Sequence, residues 1–155
     1  MYVFMIAALM FVLPIVSIGS ELGTGAALST ALIGKWFVFW AVGIRLLTAG
    51  LRQILQPRYT AEKILGLKGA DSLLLVRELG FANFAVGCVA AASIVAVGWA
   101  LPMAAVGALF YGLAGISHLL HSGRTKLENV AMASDIFIAV VLVIFCVATA
   151  LAIEP

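Results

Sequence analysis

The sequence predicts an all-α fold: a polytopic membrane helical bundle with five transmembrane helices, forming a single integral-membrane domain over residues 1–155. Three observations predict it. Apolar residues make up 65% of the 155 and charged residues only 10%, against about 45–50% and 25% in soluble domains. A body of about 150 residues buries only about 70% of its unfolded surface, so much of that apolar excess must face lipid. The apolar residues also gather into five runs close to the roughly 20 residues that cross a bilayer, and these runs lack the alternation of strands. Within hydrocarbon, helices satisfy every backbone group without closing a barrel.

The runs cover about residues 2–18, 34–55, 74–101, 102–120 and 130–153. The first lacks a basic n-region and is interrupted by Pro14, so it reads as a span rather than a signal peptide. Pro57 stops the second helix. In the connection that follows, Thr60-Ala-Glu-Lys-Ile-Leu-Gly66 reads as one capped turn of interfacial helix ended by its glycine. Only Trp99-Ala-Leu-Pro102 separates the third run from the fourth, which predicts a tight antiparallel hairpin. The fifth run closes the chain. These connections leave no room for an extramembrane domain.

Charge placement predicts orientation. Arg52, Arg58, Lys63, Lys68 and Arg77 flank the second connection, Arg124 and Lys126 occupy the fourth, and the opposite side holds only Lys35. By the positive-inside rule this is an inner-membrane protein with a cytoplasmic N-terminus and an outside C-terminus. Trp36, Trp40 and Trp99 are expected at the outer interface, and Tyr2 and Tyr59 at the inner one. The lipid bilayer is the evident partner. A net charge of +2 gives no basis for binding nucleic acid.

Small residues at intervals of four predict the helix contacts. Ala104, Ala108 and Gly112 form such a stripe on the fourth span, and Asn83, Gly87 and Ala91 on the third. Stripes of this kind let backbones approach closely where no hydrophobic effect drives association. Cys88 and Cys146 stand alone in apolar runs and read as small buried hydrophobes.

Polar residues within the spans mark the candidate site. Arg45 lies near the middle of its run, with Arg52 a heptad away on the same face. Arginine at that depth normally faces protein or water and finds an anion. The candidate partners gather at one end of the bundle: Glu78 opens the third span, His118 and His121 close the fourth, and Glu128 and Asp135 open the fifth. Three readings fit this cluster. It is a structural ion-pair network of Arg45 with Glu78 or Asp135, or a polar cavity for a small polar ligand, proton or quinone head group. The third reading is a metal site on His118 and His121 with neighbouring carboxylates. No cofactor is predicted outright; a quinone and a divalent metal are the two that such a cluster admits. Histidines three apart on one helix cannot ligate opposite faces of one porphyrin.

Three stretches resemble the DoxX-like superfamily of small four-span bundles. They are Arg45-Leu-Leu-Thr-Ala-Gly-Leu-Arg-Gln-Ile-Leu-Gln-Pro57, Arg77-Glu-Leu-Gly-Phe-Ala-Asn-Phe-Ala-Val-Gly87 and Gly115-Ile-Ser-His118. More closely, the chain is similar to bacterial membrane proteins grouped as a domain of unknown function. The resemblance covers residues 35–153 and implies a four-helix DoxX-like core with an added N-terminal helix. It also implies a leaning toward redox or quinone chemistry, without assigning a catalytic residue. From the residues themselves, the leading expectation is a non-enzymatic protein that forms a homo-oligomer or joins a larger membrane complex. A quinone- or metal-linked redox subunit is the alternative, and a small-molecule or ion transporter the second alternative.

Overall fold

The computed structural model describes residues 2–152, and among these the regular structure is all helix, with no strand. Five helices are long and apolar enough to cross a membrane: α1 (Tyr2–Gly23), α2 (Thr30–Leu55), α3 (Ala70–Ala92), α4 (Val97–Leu120) and α5 (Lys126–Leu151). The predicted end of the fifth span, Ile153, lies outside the described residues.

Local chemistry accounts for where the helix ends depart from the apolar runs. The Ser29 hydroxyl accepts from the Leu32 N–H at 3.1 Å, so α2 starts at Thr30, well before the run becomes continuously apolar. Thr125 and Glu128 form a reciprocal capping box that starts α5 at Lys126. The third run breaks earlier than expected. α3 ends at Ala92, the Ser93 hydroxyl donates to the Ala90 carbonyl at 2.6 Å, and α4 begins with a 3-10 turn at Val97–Trp99. Apolarity continues through this turn, which hid it. Pro102 sits inside the first α-helical turn that follows, which starts at Ala100 and where backbone N–H groups lack intrahelical partners in any case. The short connecting helix begins at Pro57 rather than Thr60, and Gly66 ends it with φ +67°.

Two helix pairs form the body of the protein. α2 and α3 meet backbone to backbone in an antiparallel pair. A methyl group at Gly43 would lie 2.7 Å from the Ala91 nitrogen, one at Gly50 would meet the Phe84 nitrogen, and one at Gly87 the Leu47 nitrogen. α4 packs on α5 through Gly107, which faces Leu142 and Val42, and Gly115, which faces Ile136. Contact between α3 and α4, the predicted hairpin, is thin by comparison. α1 lies across α2 and α5, where Phe11 stacks on Phe137 at 4.8 Å. Glu21 fastens its far end, accepting from Lys35 Nζ at 2.6 Å and Trp36 Nε1 at 3.0 Å.

The small-residue stripes are placed as follows. Gly87 and Ala104 are buried at helix contacts, while Ala91 and Ala108 are half-buried. Gly112 is looser: an added methyl there would meet only Ala139 Cβ, at 3.8 Å. The buried stripe of α4 runs instead through Ala104, Gly107, Tyr111 and Gly115. Cys88 is not buried but lies on the exposed side of α3. Large apolar side chains such as Leu75, Phe81, Leu109 and Ile144 stay exposed along the helices, as a lipid-facing surface requires.

Candidate functional site

α2 changes its winding before it reaches Arg45. Over Val38–Ile44 the helix is a π-helix, so the Arg45 N–H bonds to the Trp40 carbonyl, five residues back, instead of to Ala41. The Ala41 carbonyl is thereby released, and the buried Tyr111 hydroxyl donates to it at 2.5 Å. π-turns of this kind are frequent at functional sites. Here the turn re-aims the helix face that carries Arg45 and docks α4 on it.

Below this turn all five helices and the connecting helix surround one chamber of about 190 Å³. That space is several times what one water needs and smaller than the roughly 300–1,000 Å³ that takes a whole drug-sized ligand. Its polar lining comes from Arg45, Arg52, Gln53, Asn83, His118 and Asp135, with Tyr2, Tyr59, Thr60 and Tyr111. Apolar walls come from Met5, Leu46, Leu79, Phe110 and Ala131. Tyr2 and Tyr59, expected at the inner interface, both line the chamber.

Arg45 is only 9% exposed, and among the described residues its Nε has no hydrogen-bond partner. The Tyr2 ring centroid lies 5.9 Å from its guanidinium carbon. Asp135, 7% exposed, lines the same chamber. Among the described residues no carboxylate comes within 4 Å of Arg45, so the expected ion pair with Asp135 is not closed. Glu78 is exposed and takes no part in the chamber. It precedes the buried Gly80 by two positions and therefore faces away from α2.

Neighbouring polar groups are better satisfied. Asn83 Nδ2 donates to Gln53 Oε1 at 2.8 Å, joining α3 to α2 within the bundle. The Arg52 guanidinium stacks over the Tyr59 ring at 3.9 Å and holds the connecting helix against α2. Arg52 was singled out by the pattern of charges and Asn83 by the small-residue stripe of α3. Gln53 was not, and could have been found as an amide on the Gly50 face of α2.

His118, His121 and Glu128 meet at the end of the chamber. Glu128 is 3% exposed; its Oε1 lies 3.1 Å from His121 Nδ1 and 3.5 Å from His118 Nδ1, while Oε2 accepts from the Thr125 N–H at 2.9 Å. Arg124 folds back to donate to the carbonyls of His118, Leu119 and His121, closing the C-terminus of α4. Among the described residues no three His, Cys, Asp or Glu side chains are grouped to hold a metal ion, and both histidines turn the same ring nitrogen to one carboxylate oxygen.

Comparison with family models, with curated proteins and with solved structures gave no match. The functional reading therefore rests on the chamber itself.

Proposed function

We propose that this chain is a multi-pass membrane protein that holds the polar head group of a small, bilayer-soluble ligand in the chamber around Arg45. The observation that carries this reading is the buried Arg45, whose Nε lacks a partner among the described residues although a carboxylate lines the same space. A buried donor left unmade costs about 1–3 kcal/mol, and more when charged. An occupant with an acceptor toward Arg45 and a donor toward Asp135 removes that cost. The apolar walls suit a ligand whose tail stays in lipid.

A quinone is one such occupant, since a ring carbonyl can accept from the guanidinium; with it, the protein is a redox subunit. Self-assembly, the role first expected, draws less support. Gly43, Gly50, Gly87, Gly107 and Gly115 are occupied by contacts within the chain, so they offer no close-approach surface to a second copy. For orientation, the cation-rich end carrying Arg52, Lys63 and Arg124 is taken as cytoplasmic, with the N-terminus on that side.

The test is extraction of the protein purified in mild detergent, followed by mass spectrometry of the organic phase. A component enriched in the wild type and lost in a folded Arg45→Met variant is expected. An extract that Arg45→Met leaves unchanged refutes the reading.

A further inference from the structure

We infer that His121, Glu128 and His118 form a proton path from the end of the bundle into the Arg45–Asp135 chamber. This deepens the ligand-binding reading and rests on it only for the identity of the chamber's occupant. Three observations support the path. The His121 side chain is 52% exposed, the His118 side chain 19%, and the Glu128 side chain between them 4%. Both imidazoles reach the same oxygen, Glu128 Oε1. His118 is also the one member of the three that lines the chamber. The arrangement thus has an outer end, a buried middle and an inner end, in that order.

The chemistry follows from what each group can hold. A carboxylate only accepts, so His121 Nδ1 carries the proton of the 3.1 Å contact. Water protonates His121 at Nε2, and the ring then releases its Nδ1 proton to Glu128 Oε1. The resulting carboxylic acid passes that proton to His118 Nδ1, once the 3.5 Å separation shortens by roughly half an ångström into hydrogen-bond range. His118 gives up the proton on its Nε2 to the chamber, where an Asp135 oxygen receives it. Each transfer makes one bond to hydrogen and breaks one, and the path resets when the two rings exchange tautomers. Histidine suits both ends because its ring can accept a proton at one nitrogen while releasing one from the other.

The charged and titratable groups around the inner end are Arg45 and Arg52 on α2, Asp135 on α5, Tyr2 on α1, Tyr111 on α4 and Tyr59 on the connecting helix. Asp135 is the carboxylate among them and so the proton's destination. Arg45 lines the same chamber as a permanent cation that cannot take up a proton, which leaves Asp135 as the acceptor there. A ligand that gains or loses a proton with its electrons or its charge would find one available there.

The experiment is a rapid pH drop on the protein in lipid nanodiscs, followed by time-resolved infrared spectroscopy. The readout is the carboxylic-acid band that disappears in Asp135→Asn. Glu128→Gln retains the capping geometry, because glutamine serves at that position of a capping box, yet it cannot relay the proton. We expect both Glu128→Gln and His121→Ala to slow the rise of the Asp135 band at least tenfold without changing its final amplitude. Imidazole added to the buffer should restore the rate in His121→Ala and leave Glu128→Gln slow. Wild-type rates in both variants would mean that protons enter through the mouth of the chamber, and the path is then wrong. So is it if no band assigned to Asp135 rises in the wild type. Loss of a bound component in Arg45→Met is measured separately, so failure of the path and failure of ligand binding are distinguishable.

Discussion

The Tyr111 hydroxyl donates to the Ala41 carbonyl across the α4–α2 contact, and it does so because the π-turn before Arg45 frees that carbonyl from its own helix. One hydrogen bond therefore both satisfies the backbone of the turn and fixes the helix that presents Arg45.

Replacing Tyr111 with Phe should remove this bond and keep the ring. The Ala41 carbonyl is then left buried and unmade, at a cost of about 1–3 kcal/mol. Unfolding in mixed detergent micelles measures it. A variant as stable as the parent would mean that the turn finds another donor.

Glycine contacts give a paired prediction. Gly87→Ala drives a methyl into the Leu47 backbone and should destabilise the bundle by about 1–3 kcal/mol, the usual cost of overpacking. Gly112→Ala meets only Ala139 at 3.8 Å and should stay within about 0.5 kcal/mol of the parent. Thermal melting of the two variants side by side decides whether the close contact lies on α3 rather than on the outer stripe of α4.

Arg45 should couple to Asp135 and not to Glu78. The first two line one chamber, whereas Glu78 is exposed on α3. In double-mutant cycles with alanine, coupling of about 0.5–3 kcal/mol is expected for Arg45 with Asp135, and a value near zero for Arg45 with Glu78. The reverse ranking would place the arginine's counter-charge outside the chamber.

Single cysteines introduced at Arg58, Lys68 or Arg124 should resist membrane-impermeant reagents applied outside intact cells, with Cys88 and Cys146 replaced in the background. The prediction follows from the proposed orientation. Efficient outside labelling at any of these positions inverts it.

The sequence made the fold class legible because lipid imposes it: five apolar runs leave few alternatives. Helix ends were less legible. Thr125-Lys-Leu-Glu128 is a capping signature that announces α5, but it stood among charged residues already read as a polar cluster. The turn after Ala92 carries no polar signal apart from Ser93. Arg45 was identifiable by its depth in its apolar run, and His118 and Asp135 by their place at one end of the bundle; Glu78 was grouped with them on that same ground, yet it is exposed. Its facing depends on helical phase relative to Gly80, which was readable but unused. The π-turn could not be seen in Val-Phe-Trp-Ala-Val-Gly-Ile, because nothing in those side chains demands an extra residue per turn. The partner that stabilises it lies 70 residues away.

The glycine-tight α2–α3 pair and the α4–α5 pair meet only thinly along α3 and α4 and are joined by the short turn after Ala92. Each pair can therefore enter the bilayer as a helical hairpin of its own, the second docking on a first that is already assembled. A chain severed between Ala92 and Val97 loses one covalent link and none of the glycine contacts. Its two pieces, synthesised separately in one cell, should find each other in the membrane and rebuild the chamber from both sides.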